Sequence, residues 1–426
     1  MAKTRVIAGI DLGSSKVATL IAQYNEEEDK ISVVGVSQVS SKGIRKGQVV
    51  DIEEASGSII DSVERAERMA GYSVDRAFVT IGGGHIESQN SHGVVAVSDP
   101  SGEIGDSDVE RVIDAARAVS LPESREILHV VPKEYKVDGE TQVKDPVGMS
   151  GVRLEVDTHL VTGSTTAVKN IQKCASEVGI TAEGIVFSGL AASYSALTDT
   201  ERELGVILVD FGGGTTSVTA FVEGALAYSS VLPIGGKNVT NDLAAGLRVS
   251  LESAEKIKIS LGEAARRKKE EDEEKDELEL GALGLEEGGK KISRKTLTEG
   301  IIRPRLNEIF TMVGMGLGES KVLGKTPSGV VITGGGALTV GALESVKRML
   351  SLPARIGKPV GVSGLIDEIE DPSFAGAVGL VLYGARLETG GREKRFVSFN
   401  FLSKFDQIQV KGLIGHITDV VKKILP

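Results

Sequence analysis

The sequence predicts an α/β fold of two similar lobes, each opening on a strand, a tight glycine turn and a return strand. Residues 5–10 (RVIAGI) and 205–211 (GVILVDF) are short apolar runs, each ending on aspartate followed by glycine and hydroxyl residues. The runs Lys16 to Ala22 and Ser217 to Phe221 read as the return strands of hairpins around those turns. A third turn, Gly334-Gly335-Gly336, follows the apolar run Gly329 to Thr333 and precedes a helix expected from about Val340.

Composition narrows the classes. A chain of 426 residues that is 40% hydrophobic has room for several domains and a sizeable core. With 4% aromatics and no tryptophan that core must be aliphatic, and 53 glycines without a collagen-like period belong in turns and ligand loops. A net charge of −11 argues against nucleic acid as a partner, because a phosphate backbone is held by clustered lysine and arginine. The single cysteine, Cys174, cannot form an internal disulfide, and the start MAKTRVIAGID lacks the apolar core of a signal peptide, so a reducing cytoplasm is expected. No window approaches the ~18 apolar residues of a membrane-spanning helix. Any membrane contact is expected to lie on the surface of the bilayer.

Between the two hairpins the texture changes. AFVTIGG and GVVAV read as strands, residues 107–119 as a helix, and ILHVVPKEY and LEVDTHLVTG as strands again. This predicts an inserted strand-helix-strand-strand subdomain over 77–161. The first core subdomain is then 1–76 with 162–200 and 371–387. The second is 201–236 with 326–370, carrying an outer subdomain at 237–325. A linker at 388–410 leads to a terminal helix at 411–426. The run RRKKEEDEEKDE at 266–277 and the glycine-rich GALGLEEGGKK after it cannot bury enough apolar surface, which predicts a solvated loop between helices.

The chemistry concentrates in the turns. Asp11, Gly13, Ser14, Ser15 and Lys16 would present backbone N–H groups, hydroxyls and an ammonium to a strong anion, and phosphate is the natural candidate. Asp210, Gly212, Gly213, Gly214, Thr215 and Thr216 repeat the pattern, so two facing hairpins can clamp a polyphosphate from both sides. Asp11 and Asp210 would repel bare phosphate, and they make sense with a hydrated Mg²⁺ between them. Neither turn is a P-loop, which needs GxxxxGK[ST] leading from strand into helix. One such turn is more often an ordinary hairpin; the pairing, with the later glycine turn, carries the nucleotide reading. Glu255 and Lys258 alone read as an exposed i, i+3 pair on a helix.

Taken together, GIDLGSSKV (9–17), HVVPKEYKVDG (129–139), DPVGMSGVRLEV (145–156), the run from Ser188 to Thr216, AEKIKIS (254–260), VVITGGGAL (330–338) and GAVGLVLYG (376–384) resemble the actin, heat-shock chaperone and hexokinase superfamily, and within it the FtsA family of bacterial cell-division proteins. The resemblance covers nearly the whole chain. It implies an actin-like (ribonuclease H-like) two-lobed fold that binds ATP with Mg²⁺. The first and second phosphate loops would be the two turns above, with Asp11 and Asp210 orienting the metal's waters. Gly334, Gly335 and Gly336 match the adenosine motif, and Glu255 with Lys258 matches an E-x-x-K pair near ribose and adenine. Where actin-like ATPases place glutamine or glutamate to position water, an ungapped placement puts Ser188. A serine is no carboxylate base near neutral pH, so tight ATP binding is expected with turnover no faster than ~0.1 per second, against about 10 for a typical enzyme.

The same resemblance implies partners: a homopolymer of the chain itself, the C-terminal peptide of the tubulin-like protein FtsZ, and other division proteins through 77–161. The segment SRKTLTEGIIRPRLNEIF (293–310) matches the FtsZ-binding region, where Arg294, Arg303 and Arg305 could pair with acidic groups and Ile301 or Ile302 could line a groove. An ordinary amphipathic helix with solvated arginines is the alternative. In KGLIGHITDVVKKILP, Leu413, Ile414, Ile417, Val420, Val421 and Ile424 form one helical stripe, with Lys422 and Lys423 in the last turn where they suit anionic headgroups. A terminal helix docked on the protein body is the plain alternative, and the resemblance favours a membrane anchor on the cytoplasmic face at the division site. A pilus-assembly module of the PilM type and a sugar kinase of the same superfamily are the rival functions. The terminal helix speaks against the first, and the lack of a substrate base or hexose motif against the second.

Overall fold

The computed structural model describes residues 4–267, 276–283 and 291–388. The chain opens with β1 (Thr4–Leu12), β2 (Lys16–Asn25) and β3 (Lys30–Ser40), an antiparallel meander. A small hairpin of β4 (Ile44–Arg45) and β5 (Gln48–Val49) leads to α1 (Ile52–Ala70) and β6 (Arg76–Ile81). Helix α1 starts at Asp51, whose side chain accepts from the Glu54 N–H, and ends at Gly71, which takes the left-handed conformation that residues with a Cβ avoid.

The insertion follows as β7 (Glu87–Ala96), α2 (Asp106–Arg117), β8 (Arg125–Val137), β9 (Glu140–Val143) and β10 (Arg153–Ser164). Its sheet has the order β7-β10-β8-β9, with a separate core that includes Val109, Val112, Leu154, Val156 and Leu160. The chain returns to the first lobe through α3 (Thr165–Glu177), β11 (Thr181–Phe187), α4 (Ser188–Ala196) and α5 (Asp199–Leu204).

The second lobe repeats the opening with β12 (Val206–Phe211), β13 (Thr216–Val222) and β14 (Ala225–Leu232). The outer subdomain comprises α6 (Gly236–Leu247), α7 (Leu251–Arg267), a ribbon of β15 (Glu277–Glu279) and β16 (Lys291–Ser293), α8 (Arg294–Leu297) and α9 (Arg303–Ser320). Then come β17 (Val330–Thr333), α10 (Ala342–Leu350), β18 (Ala354–Ile356), β19 (Ser363–Gly364), α11 (Ile366–Ile369) and α12 (Ala375–Glu388).

Both lobes share one strand order. The first sheet runs β11-β6-β1-β2-β3-β19 and the second β18-β17-β12-β13-β14, so each is an antiparallel meander extended by two parallel strands beside its first member. Side chains explain the continuous apolar runs. Along β1, Ala8, Ile10 and Leu12 pack in the cluster that holds Ile59 of α1 and Ile171 of α3, whereas Ile7 packs with Leu380 and Val381 of α12. A strand covered on both faces has no polar positions to spare.

Two expected boundaries move. Residues 77–81 lie in β6, hydrogen-bonded between β1 and β11, so they belong to the first core sheet and the insertion starts after them. Ser363–Gly364 pairs with Ser32 and Val33 of β3, so the chain rejoins the first lobe before residue 371. In each case parallel pairing between segments distant in sequence decides membership. The insertion also carries one short strand, β9, beyond the expected pattern.

Residues 294–310 are helical, with a π-turn at Thr298–Ile302 between α8 and α9. Pro304 explains the wider turn: its ring crowds the carbonyl four residues back and it has no N–H to donate there. Glu388, the first residue of the expected linker, ends α12, and most of the charge run, the rest of the linker and the terminal helix at 411–426 lie outside the described residues. Among the described residues, no helix is long and apolar enough to cross a membrane.

Phe310 of α9 is fully buried and meets Phe211 edge-on, with ring centroids 5.4 Å apart, directly beneath the turn after Asp210. Phe310→Ala should therefore destabilise the second lobe by about 3–5 kcal/mol, seen as a lower urea midpoint; an unchanged midpoint would remove this packing from the account.

Candidate functional site

The two hairpin turns close with the same bond. The Gly13 N–H donates to the Lys16 carbonyl at 2.9 Å, and the Gly212 N–H donates to the Thr215 carbonyl at 2.9 Å. Each turn sits at the end of its lobe's central strand, and the lobes bring them into contact. A Cβ on Gly213 would stand 2.0 Å from Ser15 Oγ, and one on Gly214 would stand 2.7 Å from Ser14 Oγ. Only residues without a side chain fit there.

Around these turns lies a cleft of about 630 Å³, within the range of small-molecule sites. It brings together Asp11, Gly13, Ser14, Ser15, Lys16, Ser188, Asp210, Gly212, Gly213, Thr215, Glu255, Lys258 and the Gly334–Gly336 turn. Two predicted residues play a different part. Thr216 is fully buried and donates to the Ile234 carbonyl at 2.8 Å, so its hydroxyl pins the turn, and Gly214 serves the contact between the lobes. Ser14 lines the cleft, but its Oγ accepts the Gly47 N–H at 2.9 Å.

Asp11 and Asp210 form the floor. Burial raises the pKa of Asp11 against the pull of Lys16 and a hydrogen bond from Thr80. Burial, and then the charge of Asp11, push Asp210 up to about 7, with Lys16 opposing. Lys16 is lowered to about 8 by burial, against the charges of Asp11, Asp371 and Asp210. Its ammonium donates to Gln38 Oε1 at 2.9 Å and Ser373 Oγ at 2.8 Å and lies 4.1 Å from the Phe374 ring centre. These are two acids whose charges are poorly compensated, beside a lysine held in reserve. A hydrated divalent cation with a polyphosphate would supply the missing countercharge and accept the N–H groups of the turns, so the donor set fits such a pair.

The glycine turn closes the floor from the second lobe. Gly334 has φ 81°, and a Cβ there would be 2.5 Å from Asp210 Oδ1. Glu255 and Lys258 depart from the exposed pair read from sequence alone. Lys258 is buried and donates to Glu255 Oε2 at 2.7 Å, Thr240 Oγ1 at 2.9 Å and the Gly236 carbonyl at 3.3 Å, forming a wall of the cleft. Ser188 starts α4, and its hydroxyl lies 3.0 Å from Ser217 Oγ on the opposite lobe.

Four residues escaped the sequence reading. Thr80 of β6 donates to Asp11 Oδ1 at 2.9 Å and accepts the Leu12 N–H at 2.8 Å, fixing the first carboxylate. Gln38 and Ser373 hold Lys16. No motif marks any of them, since each arrives from a segment distant in sequence. Lys237, at the start of α6, also lines the cleft.

The expected partner-binding arginines lie apart from this cleft. Arg303 pairs with Glu299, and Arg305 binds Asp242 through two bonds of 2.5 and 2.9 Å and Glu308 at 2.6 Å. Arg294 begins α8. Ile302 is fully buried and so does not line an open groove, and Ile301 is half-buried against the second-lobe core.

Comparison with known proteins agrees with this architecture. Residues 83–162 match a family described as SHS2 domain inserted in FTSA, and residues 207–379 one described as Cell division protein FtsA. The chain is 40% identical over 387 residues to Cell division protein FtsA of Pseudomonas aeruginosa, covering 91% of each chain. Against the protein of that name from Escherichia coli K12 it is 34% identical over 401 residues, covering 92% of this chain and 94% of the other. Among solved structures, a PilM-PilN type IV pilus biogenesis complex matches with TM-score 0.62 and 17% identity, covering 89% of this chain and 98% of that one. MreB5 of Spiroplasma citri bound to ADP matches with TM-score 0.51 and 14% identity, covering 91% and 98%. These structures share the actin-like fold. With the paired turns, the duplicated sheet and the insertion in the matching place, the chain belongs to the FtsA family of cell division proteins.

Proposed function

We propose that this protein binds magnesium-ATP between its lobes, polymerises, and ties FtsZ filaments to the cytoplasmic face of the membrane at the division site. The observation that carries the nucleotide part is the pair of equivalent turns meeting in one cleft over Asp11 and Asp210. The MreB5 structures bound to ADP and AMPPNP share the fold, and adenine nucleotides bound to a protein of this fold support the reading.

The residues divide the work. Asp11 and Asp210 would hold the waters of Mg²⁺, which when bound neutralises phosphate charge. The N–H groups of the two turns, with Ser15 and Thr215, would cradle the phosphates, while Glu255 and Lys258 would orient ribose and base beside the Gly334–Gly336 turn. Ser188 offers a hydroxyl already shared with Ser217, not a base, which supports slow hydrolysis and a structural role for the bound nucleotide. The high identity to FtsA proteins favours this reading over a pilus-assembly module or a sugar kinase.

For FtsZ, the outer subdomain remains the proposed docking region. Because Arg303 and Arg305 already hold internal acids, a peptide carboxylate there would share or displace Glu299, Asp242 or Glu308. For the membrane, residues 411–426 carry the proposal. Half-burying six aliphatic side chains yields a gross gain of a few kcal/mol, partly offset by ordering a short helix. One copy should bind reversibly, and a polymer carrying many copies should bind firmly.

Two outcomes are expected. Affinity for magnesium-ATP, followed by fluorescence titration at saturating magnesium, should peak between pH 7 and 8. Protonation of Asp210 weakens it on the acid side and deprotonation of Lys16 on the alkaline side, by up to about tenfold per pH unit for each proton. Affinity that is flat, or that rises toward pH 6, would contradict these assignments. On vesicles containing anionic lipid, the full chain should co-sediment with ATP, and a chain ending at Lys411 should stay in the supernatant. Equal pelleting of both would remove the anchor.

A further inference from the structure

We infer that Lys237 is a latch between the lobes that holds the cleft closed and slows the release of bound nucleotide; the inference rests on the nucleotide reading of the cleft. Lys237 is the second residue of α6. The Gly236 N–H donates to the Gly212 carbonyl at 2.9 Å and the Lys237 N–H donates to the Gly213 carbonyl at 2.8 Å, so this helix start and the second turn form one unit of the second lobe. From there the side chain reaches across, and its ammonium donates to the Ser14 carbonyl at 2.5 Å. Ser14 is fastened to the first lobe, because its Oγ accepts from Gly47 and the neighbouring Ser15 carbonyl accepts from Ser41.

The bond therefore joins two separately anchored units, one from each lobe, at the phosphate turns themselves. Among the described residues the Ser14 carbonyl is the hydrogen-bond acceptor of this ammonium, so the bond is charge-assisted and stronger than a neutral one. Burial, Arg45 and Lys258 disfavour a charge at this spot and Glu255 favours it, which leaves the carbonyl as a needed partner. Separation of the lobes moves Ser14 away from α6 and must break the bond. In this reading a nucleotide clamped between the turns leaves as the lobes part. Removing the ammonium should then speed release without touching the carboxylates or the glycine turns.

The test compares the parent protein with Lys237→Met and Lys237→Arg, using fluorescent ADP and ATP analogues in stopped-flow displacement with magnesium present. Thermal melts check that the variants are folded. Lys237→Met should release both nucleotides about tenfold faster, by the same factor for each, because the lost bond is to protein and not to phosphate. Lys237→Arg, which keeps a charged donor, should recover most of the slow release. Parental rates in Lys237→Met would overturn the latch, and so would acceleration confined to ATP, which would make Lys237 a phosphate contact. A second readout needs no nucleotide. Spin labels at the exposed positions Glu53 of α1 and Lys256 of α7 should show a broader, longer distance distribution in nucleotide-free Lys237→Met than in the nucleotide-free parent. Identical distributions would overturn the latch. Failure of the parent to bind either analogue would instead overturn the nucleotide reading, with the label distances still deciding whether the bond holds the lobes together.

Discussion

Two carboxylates held together at the bottom of a cleft, Asp11 from one lobe and Asp210 from the other, set the terms for the rest of the molecule. Desolvation in the cleft disfavours the charge of each, and the charge of Asp11 makes that of Asp210 harder to sustain. Such a pair costs stability unless something compensates it. Inside the protein the compensation is partial: Thr80 fixes Asp11, and Lys16 is held nearby by Gln38 and Ser373. The remaining deficit is what a cation and its phosphate ligand would fill. The floor of the cleft thus holds two carboxylates, one from each lobe, whose charges the protein compensates only in part.

The duplicated sheet explains how that floor can be built at all. Because both lobes place an antiparallel meander beside two parallel strands, the same hairpin turn emerges at an equivalent point of each sheet. When the lobes face one another the turns meet, and glycine at 213 and 214 removes the side chains that would hold them apart. The outer subdomain takes part in this contact, since Lys237 at the start of α6 reaches the Ser14 carbonyl. The insertion keeps its own core, and the outer subdomain lines the cleft with Glu255 and Lys258 and packs Phe310 against Phe211.

Much of this was legible in the chain. The central strands are covered on both faces, so they appear as unbroken apolar runs, and the turns after them announce themselves by aspartate, glycine and hydroxyl residues in succession. The insertion's helix and long strands were likewise visible from their periods. What escaped depends on pairing across long separations. Residues 77–81 look like the start of the insertion until β1 and β11 are seen to flank them, and residues 363–364 look like second-lobe chain until β3 takes them. Thr80, Gln38, Ser373 and Lys237 carry no motif, and their roles arise only when separate segments converge. Glu255 and Lys258 read as solvated in isolation because burial of Lys258 comes from its contacts with Gly236 and Thr240.

The central claim is that the two aspartates jointly hold a metal that brings a nucleotide with it. Isothermal titration of ATP into the parent protein and into Asp210→Asn, each with and without magnesium, tests it most directly. The account predicts tight binding by the parent only when magnesium is present, and at least about tenfold weaker binding by Asp210→Asn under that condition. Equal affinity in the two proteins, or binding by the parent that ignores magnesium, would contradict it.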